Sequence, residues 1–342
     1  MSTKKTFWSK LPRPFFVLAP MANVTDSVFR SLFARYGRPD VTWTEFVSAD
    51  GLSSPEGRKR LRHDLDFSPK ERPIVAQLFT GHPGAMKTAA ALAARLGFDG
   101  LDINMGCPDR AVEKQGGGSA MIKDPRNAVA VIEAARAGFG GPVSVKTRLG
   151  YNALDMAWLA LLLEQRPPAL TVHLRTRKEM SDVPAHWELM PDIVELRDRI
   201  QAGVPKAERT LVIGNGDVVS IEEAAAKARA TGCDGVMIGR GIFGKPWFFE
   251  KVARRRRALA DADPKAPAER LKVMLEHARL FDKAYCGRKR LKNFAVMKKH
   301  FKAYVSGWDG AKELRAELME TEDVRQVEAV VERCLKSGIL TP

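Results

Sequence analysis

The 342-residue chain lacks any run of about 18 apolar residues, so a membrane-spanning helix is not expected. Its first residues carry charge but no apolar stretch ahead of a cleavage site, which argues against a secretory leader. Cysteine is sparse: Cys107, Cys233, Cys286 and Cys334 stand far apart, and no CxxC pair occurs. That spacing disfavours a zinc ribbon or an iron–sulfur cluster, so no metal is expected, and free thiols in a reducing cytoplasm fit best. Acid is also in short supply, with 41 Asp and Glu against 56 Lys and Arg and a net charge of +15. At 45% hydrophobic and 28% charged, the chain is neither a disordered tail nor a fibre nor a disulfide miniprotein, and it is long enough to bury a sizeable core.

The positive surplus is uneven. Residues 251–302 hold 17 Lys and Arg against 5 Asp and Glu, while residues 303–342 hold 5 against 8. A surplus confined to some fifty residues reads as the footprint of a polyanion, with nucleic acid ahead of a membrane surface; the plainer reading is a solvated helical face.

Eight short β-rich runs recur at 16–19, 41–46, 74–79, 100–105, 143–147, 170–174, 211–214 and 235–238. Helical patterns separate several of them, at 83–96, 127–137 and 221–230, the last with Ser220 as N-cap and Glu223 three residues on. Strand and helix repeated eight times predicts an α/β (β/α)8 TIM barrel, with a doubly wound sheet as the runner-up. Near residue 250 the β-branched runs stop. Helical patterns at 271–284, 290–305, 311–318 and 324–336 predict a small all-α bundle. The expected division is a catalytic barrel over 1–250 and a helical domain over 251–342.

Strand alternation places Val75 with Gln77, Asp102 with Asn104, Ser144 with Lys146, and Thr171 with His173. Together with Asn215, five successive strands end in a polar residue, and the carboxyl ends of barrel strands are where active sites lie. Any one such residue is ordinarily just a loop start, but five in order point to a site. Gln77 and Asn104 offer donors and acceptors for a heterocycle edge, Lys146 a fixed cation, and His173 either role. The turns Gly214-Asn215-Gly216-Asp217 and Gly239-Arg240-Gly241 follow the last two strands, the habitual phosphate cradle of this fold. Cys107 follows the fourth strand in the loop Gly106-Cys107-Pro108, where a thiol has access to a ligand. A cysteine is more often a buried apolar filler, so the position alone leaves its role open.

The segments Ala19-Pro20-Met21-Ala22-Asn23-Val24-Thr25-Asp26, Gln77-Leu78-Phe79, Asp102-Ile103-Asn104-Met105-Gly106-Cys107-Pro108, Val145-Lys146-Thr147-Arg148, Gly214-Asn215-Gly216-Asp217, Ile238-Gly239-Arg240-Gly241 and Pro246-Trp247 resemble the tRNA-dihydrouridine synthase (Dus) family, over roughly residues 15–250. The resemblance implies an FMN-binding barrel followed by a helical domain that grips tRNA. It implies that Pro20, Met21 and Ala22 line the flavin ring, that Gln77 bonds its pyrimidine part, and that Lys146 and His173 lie beside it. Asn215, Gly216, Asp217, Gly239 and Arg240 would hold the phosphate. In the implied reaction a hydride from FMN reaches C6 of uridine, Cys107 protonates C5, and NAD(P)H, with NADPH the expected form, restores the reduced cofactor.

The target base must be flipped out of the tRNA, with Asn104, Arg148, Arg175 and Arg177 near it and Arg288, Lys289, Arg290 and Lys292 on the backbone. Further candidates are residues 254–257, Lys272, Arg279, Lys283, Lys298 and Lys299. The chain departs from the family pattern at Asn23, where Gly is frequent, at Leu174, where Gly often follows the His, and at Lys245, where Asn is frequent. Two other readings remain: an FMN barrel acting on a free pyrimidine or other small molecule, and an RNA-binding protein with a vestigial barrel. No stable protein partner is inferable.

Overall fold

The computed structural model describes residues 6–254, 266–287 and 290–336. Eight parallel strands form one sheet: β1 (Phe15–Leu18), β2 (Thr42–Ser48), β3 (Ile74–Phe79), β4 (Gly100–Met105), β5 (Val143–Arg148), β6 (Ala169–His173), β7 (Leu211–Asn215) and β8 (Gly235–Ile238). Each pairs with its sequence neighbour from β2 to β8, and β8 pairs with β1. A bridge from Val17 to Val41 and the bond from the Leu18 N–H to the Val41 carbonyl (3.3 Å) close β1 onto β2. The result is a TIM barrel. β1 and β8 read as continuous apolar runs, as strands covered on both faces do.

The lumen core follows the two-residue alternation. Phe15, Val17 and Ala19 of the β1 segment, Val41 and Trp43, Val75, Ala169, Leu211 and Ile213, and Met237 form one buried cluster. Trp8, just before β1, belongs to it and lies 6.2 Å from Phe15 and 5.9 Å from Trp43 between ring centroids. Above these apolar residues the same inward positions turn polar: Gln77, Asp102 and Asn104, Ser144 and Lys146, Thr171 and His173. Register confirms the level, pairing Gln77 with Asp102, Asn104 with Lys146, and Arg148 with His173. A bulge in β2 between Trp43 and Phe46 shifts that strand by one residue relative to β3.

The outer helices start where their sequences offer caps. The helix Pro125–Phe139 begins at Asp124, whose carboxylate accepts the Asn127 N–H at 3.1 Å. The helix Ile221–Thr231 begins at Ser220, whose hydroxyl accepts the Glu223 N–H at 3.1 Å. In Pro83–Arg95 the buried residues Met86, Ala89, Ala90 and Ala93 recur at helical spacing.

The chain divides into two compact units, residues 1–27 with 39–240, and residues 28–38 with 241–342. The second unit is helical. It contains most of α1 (Ser27–Tyr36), then α2 (Pro267–Phe281), α3 (Lys298–Tyr304), α4 (Ala311–Glu320) and α5 (Val324–Lys336). Its core gathers Val28, Leu271, Met274, Phe281, Met297, Phe301, Leu318, Val327 and Val331. The pattern at 290–305 predicts a single helix. Instead Asn293 caps a 3-10 turn over Phe294–Met297, its side chain accepting the Ala295 N–H at 2.8 Å, and α3 starts only at Lys298. No helix among the described residues is long and apolar enough to cross a membrane.

Candidate active site

The polar inward residues at the carboxyl ends of β3 to β5 form a connected network. Nε2 of Gln77 donates to Oδ2 of Asp102 at 2.6 Å, and Oγ of Ser144 donates to Oδ1 of the same carboxylate at 2.5 Å. Nδ2 of Asn104 donates to Oε1 of Gln77 at 3.2 Å. Oδ1 of Asn104 in turn accepts the N–H groups of Gly106 (3.1 Å) and Cys107 (2.9 Å). The strand-end amides therefore reach up and hold the cysteine loop from beneath.

The loop is pinned from its other side as well. Ser119 gives both its N–H and its hydroxyl to the Cys107 carbonyl, each at 2.9 Å. Its hydroxyl also lies 2.9 Å from Glu113, which is paired with Arg177 at 2.8 Å. Gly118 has φ +59, and a Cβ there would fall 2.5 Å from the Cys107 carbonyl oxygen, so no larger residue fits without moving the loop. Ser119 and Glu113 were not singled out by the sequence; the Gly116-Gly117-Gly118 run between them is the signal that marks the spot.

The electrostatics separate the groups. Burial pushes the Cys107 thiol above its ordinary range, so it stays protonated at neutral pH. Burial first, and then the neighbouring Arg148, pulls the Lys146 ammonium down to about 8. Lys146 forms no ion pair among the described residues. Burial and the positive charges of Lys146, Arg148, Arg175 and Arg240 hold His173 well below its usual value, so its ring is neutral. Nη1 of Arg175 lies 3.3 Å from Nε2 of His173. Because a guanidinium only donates, Nε2 is the acceptor and the ring proton sits on Nδ1. Gln77, Lys146 and His173 are thus the donor-bearing residues at the carboxyl ends of β3, β5 and β6.

At the ends of β7 and β8, Asn215 is buried and its Nδ2 donates to the Met237 carbonyl at 2.8 Å. Gly216 accepts the Trp187 indole N–H at 2.8 Å. Space is open beside Gly239, where a Cβ would meet nothing closer than Met21 at 3.7 Å. The Asp217 carboxylate is shared by Arg175, Arg240 (2.9 Å) and the Ala185 N–H (2.9 Å). It is committed to orienting Arg240, whose side chain is 63% exposed. Pro20 is buried, Met21 half-buried and Ala22 exposed at the end of the β1 segment. Asn23 adopts φ +54, a conformation open to Gly and Asn alike, and its N–H bonds the buried Glu45 carboxylate. Leu174 is fully buried and one residue out of phase with His173, which leaves the inward side of His173 clear.

The arginines near the mouth behave differently from their sequence reading. Arg148 is buried, with Nε on the Gly106 carbonyl (2.8 Å) and Nη1 on the carbonyls of Thr176 (2.9 Å) and Met180 (3.1 Å). Arg175 is also buried, held by Asp217 and by the Val183 carbonyl at 2.6 Å. Both are wall elements, and Arg148 fastens the cysteine loop to β5. Arg177 is half-buried and stacks over Tyr151 at 5.3 Å. In the helical unit Arg290 is exposed and Lys292 covers the Tyr285 ring at 5.2 Å; Arg288 and Lys289 lie outside the described residues, as do residues 255–257. Lys283 and Lys299 are exposed and Lys298 half-buried. Lys272 is paired with Glu269 (2.6 Å) and Arg279 with Glu328 (2.7 Å).

Comparison with known proteins fits this arrangement. The family model described as dihydrouridine synthase (Dus) matches residues 17–339. A probable tRNA-dihydrouridine synthase of Staphylococcus aureus (strain COL) is 43% identical over 331 residues, covering 96% of this chain and 95% of that protein. A probable tRNA-dihydrouridine synthase 2 of Bacillus subtilis (strain 168) is 42% identical over 330 residues, 96% of each chain. Among solved structures, 2-naphthoyl-CoA reductase aligns with a TM-score of 0.51 at 10% identity, over 70% of this chain and 50% of that one. Morphinone reductase aligns with a TM-score of 0.50 at 15% identity, over 75% and 90%. At those identities the two structures speak to the barrel fold alone. With a family match over nearly its whole length and relatives above 40% identity, the chain belongs to the dihydrouridine synthase (Dus) family.

Proposed function

We propose that this protein is an FMN-dependent tRNA-dihydrouridine synthase, an oxidoreductase that reduces the C5=C6 bond of specific uridines in tRNA with NADPH as reductant, working in the cytoplasm. One observation carries the reading: the Cys107 thiol stands on a loop at the carboxyl end of β4, and the loop's backbone is fastened to the strand-end amides Asn104 and Gln77.

The residues present suit FMN. An isoalloxazine edge is rich in acceptors, and Gln77, Lys146 and the Nδ1–H of His173 supply donors to match it. The open backbone at Gly239, with Gly216 and Arg240, suits a phosphate. When bound, the reduced flavin supplies the hydride. The chain's own residues do the rest. Lys146, only weakly held as a cation at about 8, offsets negative charge that builds beside it. Cys107 delivers its proton to C5 of the uracil, and Asn104 and Arg148 keep its loop at a fixed height above β4 and β5.

Uridine stacked in tRNA cannot enter a barrel mouth, so it is flipped out, while exposed basic residues of the helical unit, Arg290 among them, take the phosphates. The division of labour is thus an FMN barrel and a tRNA-binding helical domain. The test is direct: purified protein, NADPH and an unmodified tRNA transcript should yield dihydrouridine, with free uridine left untouched. Reduction of free uridine with tRNA ignored would favour the small-molecule reading, and a colourless protein inert with added FMN would refute the proposal.

A further inference from the structure

The network under the cysteine loop has a direction, and a buried carboxylate terminates it. Asp102 is fully buried, at a lumen level where neighbouring strands place apolar or neutral residues. A carboxylate accepts hydrogen bonds and does not donate. Gln77 must therefore turn its NH2 end to Asp102 and its carbonyl end to Asn104. Asn104 must then turn its own NH2 to Gln77, which leaves its carbonyl for the N–H groups of Gly106 and Cys107. Ser144 occupies the second oxygen of Asp102. Donation thus runs in series from the loop backbone to Asn104, to Gln77, to Asp102. An amide side chain has two nearly isosteric orientations, and this order admits one of them at each link.

We propose that Asp102 is a positioning residue: by ending the series as an acceptor it orients both amides and holds the Cys107 loop in place. The series itself stands independently of the activity; its catalytic consequence rests on the function proposed above. A carboxylate that merely fills space or balances Lys146 would not need Gln77 to act on Cys107. One that works through the series would.

The experiment is a double-variant cycle read at Cys107. Alkylation of the purified protein by iodoacetamide is followed peptide by peptide. Cys233, buried in the same unit and bonded to the Gly235 carbonyl at 3.3 Å, reports general loosening. Asp102→Leu and Gln77→Leu should each speed Cys107 alkylation by about fivefold, and the double variant should do no more than either alone. Asp102→Asn, which can still accept from Gln77, should stay within about twofold of the starting protein. Additive effects in the double variant, no change in either single variant, or an equal rise at Cys233 would overturn the proposal.

Should Asp102→Leu fail to fold, Asp102→Asn with Ser144→Ala strips the hydroxyl donor that helps to select the orientation of the new amide. It should raise the Cys107 rate above that of Asp102→Asn, and a rate equal to it would overturn the proposal. With tRNA, Asp102→Leu should lower kcat with little change in KM. A starting protein that reduces no tRNA defeats the functional reading while the alkylation cycle still decides this one.

Discussion

Two buried polar clusters, one in each unit, treat their hydrogen bonds in opposite ways. In the barrel, Asp102, Gln77, Asn104 and Ser144 satisfy one another and the loop above them. In the helical unit, His277 and His300 are fully buried with ring centroids 4.6 Å apart. His277 stacks on Phe29 at 4.9 Å and 5°. Among the described residues, His277 Nε2 and both ring nitrogens of His300 have no partner, and the Tyr304 hydroxyl reaches His277 Nδ1 only at 3.4 Å. The first cluster keeps a charge and spends it on orientation. The second uses imidazoles as aromatic filler, which works only while they stay neutral.

That contrast breaks first in acid. Burial pulls His277 down to about 3 from an unfolded value of 6.5, and it depresses His300 strongly as well. Below 6.5 the unfolded chain binds protons that the folded unit refuses. The stabilising effect of the neutral rings is therefore complete above that pH and lost as pH falls, by about 1.4 kcal/mol per pH unit for each ring. Hydrogen exchange should show α2 and α3 losing protection between pH 6 and about 4, and His300→Phe should remove much of that loss. Equal protection across that range would contradict the assignment.

The barrel cluster responds with the opposite sign and a smaller size. Burial, partly offset by Gln77, Ser144, Lys146 and Trp43, raises Asp102 to about 6 from 3.8. The folded state holds that proton more tightly, so the Asp102 contribution to stability declines as pH climbs from 3.8 to about 6 and is level above it. Thermal melts at pH 8 should show Asp102→Asn melting higher than the starting protein by a few degrees, because the neutral side chain escapes that cost. Ser144→Ala, which strips a donor from the ionised carboxylate, should cost about 2 kcal/mol. A lower melting point for Asp102→Asn would mean that the ionised form is the one the fold prefers. The smallest effect belongs to Tyr304→Phe. It removes a long bond from a ring already poorly satisfied and should cost at most about 1 kcal/mol in a urea melt; a loss as large as that of Ser144→Ala would erase the distinction between the two clusters.

Much of the barrel was legible because its signals are local. The strands at 74–79, 100–105 and 235–238 fall where their alternation and flanking turns put them, and the row Gln77, Asn104, Lys146, His173 follows from the same period of two. What escaped depends on distant partners. Arg148 and Arg175 read as contacts to the target nucleotide, yet their guanidinium groups bond loop carbonyls, a choice a long flexible side chain makes only in the folded wall. Asp102 was visible as a neighbour of Asn104 on one face, but the direction of hydrogen bonding through Gln77 is set across three strands. Residues 28–38 group with the helical unit because Phe29 meets His277 and His300, 248 and 271 residues away in sequence.

The most direct test of the catalytic assignment is a single-turnover measurement on Cys107→Ala, with the flavin reduced beforehand and tRNA then added. Dihydrouridine formation should fall by about a hundred- to ten-thousand-fold, while reduction of the flavin by NADPH and binding of tRNA stay as they were. Formation at the unaltered rate would show that the proton reaches C5 from another group.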